Sequence, residues 1–133
     1  MRTAPGVIEA IVAHAREDLP DECCGLIGGK DGVATSVYRA RNAFESPLRY
    51  DVHPTDLFQI LERRMPEAGE ELLAIYHSHP SSEAYPSQTD INLAEGWPDP
   101  AYVICSLADA DAPVVRGFAI REGRVEEIEL GAD

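Results

Sequence analysis

The sequence Leu-Leu-Ala-Ile-Tyr-His-Ser-His-Pro at positions 72–80 joins an apolar run to two histidines that one residue separates. The apolar run predicts a buried strand over Leu72–His77. Alternate residues of a strand project from the same face, so we expect His77 and His79 to direct their imidazole nitrogens toward one point. This arrangement favours a metal site at the end of the strand, although two exposed strand-end histidines would also fit the pattern.

A second polar motif, Ser87-Gln88-Thr89-Asp90, lies a short loop further on. Ser87 and Asp90 form a capping box, which predicts a short helix from Ser87 to Glu95 with Gly96 in the left-handed position at its end. Ten residues separate His79 from Asp90, enough for the helix start to fold back against the strand. Two histidines and one carboxylate leave the fourth tetrahedral position of a zinc ion open for water, as in catalytic zinc sites. A helix cap is the simpler role for Asp90.

The rest of the chain alternates helical and extended patterns without a repeat or a linker. The predicted elements are a helix from Val7 to Leu19 ended by Pro20, a hairpin of Cys24–Ile27 and Val33–Ala40, an extended piece at Arg49–Val52, a helix from Pro54 through Met65 ended by Pro66, and strands at Tyr102–Leu107, Val114–Ile120 and Val125–Leu130. Irregular alternation with terminal hairpins predicts an α/β chain of the α+β type. We expect one domain over residues 1–133, with a mixed, mostly antiparallel sheet and flanking helices.

Composition excludes several classes of function. The chain has 133 residues, of which 44% are hydrophobic and 26% charged, as in ordinary globular domains. Its net charge of -13 repels phosphate backbones and anionic lipid, and no apolar stretch approaches the ~20 residues of a bilayer span or resembles a signal peptide. We therefore expect no nucleic-acid or membrane partner. Three cysteines without a C-x-x-C pair indicate neither a disulfide framework nor a thiolate zinc site, which favours the reducing cytoplasm.

Other metal-dependent folds with an H-x-H pair fit this chain poorly. An amidohydrolase barrel needs ~200 residues or more. Metallo-β-lactamase-like enzymes need a further Asp-His pair soon after the first histidines, and the residues from Pro80 to Glu83 offer none. Nucleobase deaminases need H-x-E with a later C-x-x-C, which is also absent from the sequence.

The joint pattern of Glu22, His77-Ser78-His79-Pro80 and Ser87 to Asp90 resembles the JAMM, or JAB1/MPN, metalloproteases. Residues Pro20 to Gly29 look like the first strand of that fold, and the order of elements agrees over nearly the whole chain. The resemblance implies that His77, His79 and Asp90 hold one Zn²⁺ per chain and that Glu22 is the general base. The Ser87 hydroxyl, one helical turn from Asp90, is the candidate donor to the oxyanion of the intermediate.

Within the family, the stretches Tyr76–His79 and Glu83–Asp90 are most similar to compact bacterial Mec-type peptidases. This likeness implies a zinc-dependent peptidase that hydrolyses the bond after the Gly-Gly-like C-terminus of a ubiquitin-like sulfur carrier protein and releases cysteine. The alternatives are a metal-dependent amidase or peptidase that acts on another ubiquitin-like conjugate or on a small molecule, and a non-catalytic MPN scaffold, which predicts lost signature residues. The other two histidines, His14 and His53, are interpreted as packing or surface residues.

Overall fold

A computed structural model describes residues 1–133 and contains one eight-stranded sheet. The strands are β1 (Arg2–Thr3), β2 (Cys24–Lys30), β3 (Val33–Ala40), β4 (Glu71–His79), β5 (Ala101–Ser106), β6 (Val114–Arg121), β7 (Arg124–Ile128) and β8 (Gly131–Ala132). They lie in the order β7-β6-β5-β4-β2-β3-β1-β8. Four neighbouring pairs are antiparallel, while β4–β5, β1–β3 and β1–β8 are parallel. The sheet is therefore mixed and mostly antiparallel, as predicted.

Three helices flank this sheet. Helix α1 spans Val7–Glu17. Helix α2 begins with Pro54–Gln59, widens into a π-helical segment at Ile60–Arg64 and closes with one α-helical turn at Met65–Ala68. Helix α3 spans Gln88–Leu93 and runs on into a 3₁₀ turn at Ala94–Gly96. None of the three has the length and apolar character that crossing a bilayer requires.

The two hairpins of the sheet turn on residues whose backbone is left-handed. Asp31 and Gly32 join β2 to β3 with φ of 52° and 77°, and Glu122 and Gly123 join β6 to β7 with φ of 52° and 75°. Two consecutive residues with positive φ match the twist of the flanking strands, which is why glycine occupies the second position of each turn.

Strand β4 separates two cores because its side chains alternate between the faces of the sheet. Ala74 and Tyr76 pack in a cluster with residues of α1, including Ile11. Ile75 packs in a second cluster with residues of α2, including Ile60. Helix α1 therefore covers one face of the sheet, while α2 and α3 cover the face toward which Ile75 points.

The two outermost strands of the sheet are neighbours in sequence. Ile128 of β7 pairs with β6, and Gly131 of β8 pairs with Arg2 of β1 at the other edge. Only Glu129 and Leu130 connect them, so the sheet must curl until its edges approach each other. The amino group of Met1 donates a hydrogen bond to the Glu129 carbonyl, which links the N-terminus to the connection between β7 and β8.

Three details of the predicted secondary structure are wrong. Arg49–Val52 is not a strand, because only Val52 makes a bridge, to Asn42. Pro66 does not end α2 but lies in its last turn, where the π-helical segment precedes it. Gly96 closes a 3₁₀ turn and has no positive φ.

Candidate metal centre

The two histidines of the sequence motif lie at the end of β4, in the middle of the sheet. His77 pairs with Cys24 of β2 on one side and with Ile104 of β5 on the other. Both histidines share the face of Ile75, as strand alternation predicts, and both are almost completely buried. A central strand with neighbours on both sides holds the two imidazoles rigidly.

Helix α3 brings a carboxylate to the same place through its capping box. Ser87 Oγ accepts a hydrogen bond from the Asp90 N–H at 3.1 Å, and Asp90 Oδ2 accepts one from the Ser87 N–H at 2.9 Å. The predicted cap is therefore confirmed. Because both ends of the cap are engaged, the Asp90 side chain has one preferred direction, which is back toward the end of β4.

Three atoms that can act as metal ligands converge where the strand end and the helix start meet. The Nε2 atoms of His77 and His79 lie 3.1 Å apart, and Asp90 Oδ2 lies 3.1 and 3.0 Å from them. Zinc bonds of ~2.0–2.2 Å with tetrahedral angles place neighbouring ligand atoms about 3.4 Å apart. The triangle of atoms is thus close to one face of a zinc tetrahedron.

The protonation state of His79 strengthens this interpretation. His79 Nδ1 lies 2.7 Å from the Glu83 carbonyl, which only accepts, so Nδ1 carries a proton. In the neutral ring, Nε2 then presents a lone pair to the Asp90 carboxylate. Two lone pairs 3.0 Å apart repel, so the contact requires either a proton on the ring or a metal cation between the two atoms. The donor set of two imidazoles and one carboxylate fits a zinc ion, and the carbonyl of Glu83 fixes the tautomer that a ligand needs.

The pKa values of His77, His79 and Asp90 are shifted by burial and by the short distances between the three groups. Burial lowers the pKa of His77 despite its hydrogen bond to Asp90. Burial also opposes protonation of His79, but its hydrogen bonds to Asp90 and the Glu83 carbonyl outweigh this effect and raise its pKa. For Asp90, burial is outweighed by the hydrogen bonds from both histidines, which hold its pKa well below the ordinary range. The carboxylate is therefore ionised at any physiological pH.

Glu22 lies beside this triangle, on the segment that leads into β2. Its carboxylate oxygen and the nitrogens of His77 and His79 lie within 4.8 Å of one another. The side chain is only 4% exposed, and its Oε1 atom has no hydrogen-bond partner. Burial, partly offset by His79 and reinforced by Asp90, raises the pKa of Glu22 to about 8. Asp90 Oδ2 lies 3.1 and 3.0 Å from the same two nitrogens, so two carboxylates flank one pair of imidazoles.

Tyr50 completes the surroundings of His77, and the sequence carried no signal for it. The two rings are stacked, with centroids 4.1 Å apart and planes 17° from parallel. Tyr50 comes from the segment between β3 and α2, which the sequence indicated only as an extended piece. A ring stacked on a ring restricts the rotation of His77, whose Nδ1 atom is buried without a partner.

The remaining predicted residues take structural positions. Ser78 points to the α1 face, where its hydroxyl accepts a hydrogen bond from the Cys23 N–H at 2.8 Å. His14 Nδ1 is buried 2.7 Å from the Tyr76 hydroxyl, and the ring of His53 caps α2 by accepting from the Thr55 N–H. The three free cysteines, Cys23, Cys24 and Cys105, are all buried in the core.

Comparison with known proteins identifies the family. Residues 4–120 match the family described as prokaryotic homologs of the JAB domain. The chain therefore belongs to the JAB/MPN family of JAMM peptidases, as the motif predicted. A solved structure described as "JAMM: A Metalloprotease-like Zinc Site in the Proteasome and Signalosome" has a TM-score of 0.63 over 100% of this chain and 97% of its own, at 21% identity. That likeness shows the shared fold.

Closer relatives exist among both sequences and structures. The chain is 39% identical over 123 residues to the CysO-cysteine peptidase of Mycobacterium tuberculosis, covering 91% of this chain and 83% of the relative. It is 38% identical over 120 residues to a probable TtuB-protein conjugate cleaving protease of Thermus thermophilus, covering 90% and 75%. The solution structure of protein DSY2949 from Desulfitobacterium hafniense matches with a TM-score of 0.90 at 36% identity, covering 100% of this chain and 93% of its own.

Proposed function

We propose that this chain is a zinc-dependent peptidase that hydrolyses the bond after the Gly-Gly-like C-terminus of a ubiquitin-like sulfur carrier protein and releases cysteine. The convergence of His77, His79 and Asp90 beside the unpartnered, buried carboxylate of Glu22 carries the proposal. The name of the mycobacterial relative, a CysO-cysteine peptidase, supports the substrate class. The domain over residues 1–133 carries the activity, and the cytoplasm, where its three buried cysteines stay reduced, is its location.

In this proposal His77, His79 and Asp90 hold one zinc ion per chain. Zinc, when bound, supplies Lewis acidity, which polarises a carbonyl and makes water more acidic. The chain's own contribution is rigidity: β4 fixes two of the ligands, and the capping box of α3 fixes the third. A set of three rigidly held protein ligands would suit hydrolysis better than a purely structural role.

Glu22 moves the proton. Its carboxylate accepts one proton from the attacking water, and it returns that proton to the departing amine when the C–N bond breaks. The products are a carrier that ends in a carboxylate and a free amine. A carboxylate whose pKa is raised by burial suits this shuttle, because it gains and loses a proton more readily near neutral pH than an ordinary glutamate does.

Ser87 stabilises the oxyanion that forms at the scissile carbonyl. Its Oγ caps α3 as an acceptor from the Asp90 N–H, so the cap uses a lone pair and leaves the hydroxyl proton available. The cap also fixes the position of the hydroxyl. A donor held in place before the reaction is the arrangement that stabilises developing negative charge most effectively.

The experiment that tests this function is mass spectrometry of ubiquitin-like carriers extended at the C-terminus by one cysteine, before and after exposure to the zinc-loaded protein. We expect loss of the cysteine residue from a folded carrier and much slower cleavage of the matching tail peptide. The matched control is His79→Ala. Equal cleavage of the free peptide would contradict the folded-partner hypothesis and favour a small-peptide or amidase role.

A second substrate in the same experiment distinguishes release of cysteine from cleavage of a protein conjugate. That substrate is a carrier joined through its C-terminus to another protein, since the Thermus relative is named as a probable protease of a protein conjugate. Faster cleavage of that conjugate than of the cysteine adduct would replace cysteine release by protein deconjugation. Salt titration adds a check, because the chain's charge of -13 repels an acidic carrier and screening should raise the rate.

A further inference from the structure

Glu22 lies outside every helix and strand, so no sheet ladder fixes its backbone. Its N–H instead donates to the Ser46 carbonyl at 2.9 Å. Its carbonyl accepts from Asn42 Nδ2 at 3.2 Å. Both partners belong to the segment 42–52, which connects β3 to α2 and which we call the Asn42 loop. The position of the carboxylate beside the histidines is therefore set by this loop.

The side chain of Asn42 holds the loop itself together. Nδ2 donates to the Arg49 carbonyl at 3.0 Å in addition to its bond to Glu22. Oδ1 accepts from the N–H groups of Phe44 and Asp51 at 3.0 and 3.2 Å. The amide thus uses both N–H donors and accepts two hydrogen bonds, while the residue is only 8% exposed. A buried amide with four hydrogen bonds has one orientation, and those bonds fix the positions of the main-chain groups that it contacts.

The Asn42 loop also contacts the candidate metal centre directly, through His77. It carries Tyr50, whose ring stacks on His77 with centroids 4.1 Å apart. Main-chain hydrogen bonds close the loop around Asn42, from Ala43 N–H to the Asp51 carbonyl at 2.8 Å and from His53 N–H to the Arg41 carbonyl at 2.9 Å. One closure therefore sets the distance between the Glu22 segment and the end of β4.

We infer that Asn42 is a positioning residue for the reaction: its Nδ2 group holds Glu22 at the distance from the histidines at which the carboxylate exchanges protons with water. The inference rests on the proposed role of Glu22 as the proton shuttle. A purely structural role for Asn42 would involve only the bonds within the loop. The bond from Nδ2 to the Glu22 carbonyl is the link that distinguishes the two roles.

Asn42→Asp separates these roles because it keeps the shape of the side chain. The carboxylate still accepts from Phe44 and Asp51, but an anionic oxygen replaces the donor that faces the Glu22 and Arg49 carbonyls. We expect kcat for a cleaved conjugate to fall by ~10²-fold, with KM and zinc content within about twofold of wild type. Asn92→Asp is the control, since Asn92 is exposed on α3 and its amide accepts only from Gln88.

A substrate-free measurement tests the same link. In hydrogen exchange of the zinc-loaded protein, we expect the Glu22 amide to exchange at least about tenfold faster in Asn42→Asp, with the β4–β5 ladder unchanged. If Asn42→Asp does not fold, Asn42→Ala is tested by the same two measurements. A kcat within twofold of wild type, or an effect confined to KM, zinc content or thermal stability, would overturn the inference. If wild type cuts no conjugate, the proposed function fails, while unchanged exchange at Glu22 would separately refute the Asn42 link.

Discussion

Both faces of β4 bury polar side chains, but the hydrogen-bonding groups have partners on one face and lack some of them on the other. On the α1 face, the Tyr76 hydroxyl lies 2.7 Å from His14 Nδ1, and Ser78 Oγ accepts from a main-chain N–H. On the opposite face, His77 Nδ1 and Glu22 Oε1 are buried without a partner. The two histidine Nε2 atoms there lie 3.1 and 3.0 Å from the same oxygen, Asp90 Oδ2. The two faces therefore differ in whether their hydrogen-bonding groups are satisfied.

This difference indicates where the chain accepts a cost in stability. A buried polar group without a partner destabilises a fold by ~1–3 kcal/mol, so such groups persist where function requires them. The α1 face is built for packing: a Cβ at Gly25 would lie 2.5 Å from the Tyr76 hydroxyl, so the glycine leaves room for the tyrosine ring. The opposite face is built for a ligand.

His79→Ala removes one of the three proposed metal ligands. We expect loss of bound zinc and of all measurable cleavage, with the domain still folded. The core on both faces supplies most of the stability, so metal loss should not unfold the chain. Elemental analysis and circular dichroism measure both outcomes, and chelation of the wild type should reproduce them. His53→Ala is the control, because His53 caps α2. A full zinc content in His79→Ala would contradict the hypothesis that this face of β4 binds the metal.

Glu22→Gln should keep zinc and substrate binding but lower kcat by ~10²–10⁴-fold, because an amide has the shape of the carboxylate without its basicity. In the wild type, kcat/KM should rise with pH as Glu22 loses its proton. The pKa of about 8 belongs to the metal-free site, and a bound cation favours the ionised carboxylate, so the midpoint should lie below 8. Loss of zinc in Glu22→Gln would make Glu22 a ligand.

The same substitution should stabilise the metal-free fold. The folded pKa of Glu22 is raised from 4.5 to about 8, so the folded state binds this proton more tightly than the unfolded state. Ionisation therefore destabilises the wild type progressively as pH rises through that window, and Glu22→Gln escapes the loss. We expect no advantage below pH 4.5 and an advantage on the order of 5 kcal/mol above pH 8. Urea unfolding of chelated protein at several pH values measures it; a pH-independent difference would contradict the raised pKa.

Ser87→Ala should lower kcat by about 10²-fold if the hydroxyl donates to the oxyanion, and it should also destabilise the helix start by ~1 kcal/mol. Two further variants separate these effects. Ser87→Gly removes the hydroxyl but costs the cap only a few tenths of a kcal/mol, while Ser87→Thr keeps both functions. We expect kcat to follow the hydroxyl and thermal stability to follow the cap. Full activity in Ser87→Gly would reduce Ser87 to a helix cap.

Tyr76→Phe should have the smallest effect on catalysis. It leaves His14 Nδ1 buried without its partner at 2.7 Å, which should cost ~1–3 kcal/mol of unfolding free energy. We expect kcat to stay within about twofold of wild type, because the hydroxyl lies on the opposite face from the histidine pair. Tyr85→Phe, at an exposed tyrosine, is the control. A large loss of kcat with unchanged stability would show that the α1 face also serves the reaction.

The sequence predicts the parts of the site that depend on local periodicity. The same-face placement of His77 and His79 follows from strand alternation, and the direction of Asp90 follows from the capping box. Glu22 had no local signal of its own, because a glutamate after Pro-Asp is typical of a solvated helix end. Only the resemblance to a family singled it out. Burial and proximity to the histidines are tertiary properties, which the structure alone displays.

Other features escape prediction because they join distant or irregular segments. Tyr50 stacks on His77 from a segment without regular periodicity, and Asn42 reaches Glu22 across 20 positions of sequence. The strands β1 and β8 have two residues each, too few to show alternation. The sequence pattern predicts that α2 ends at Pro66, yet the wider π-helical segment before it accommodates the ring within the helix.

The capping box of α3 also couples two equilibria. Asp90 Oδ2 receives the Ser87 N–H and, in the proposed site, a metal ion, so helix initiation and ion binding share one oxygen atom. Linkage requires the coupling to be reciprocal: whatever factor the ion adds to the population of the formed helix start, the formed helix start adds to ion affinity. Helix α3 has only six residues and would be marginal alone. In the proposed site, the capping pair of Ser87 and Asp90 would therefore regulate how tightly the ion is held.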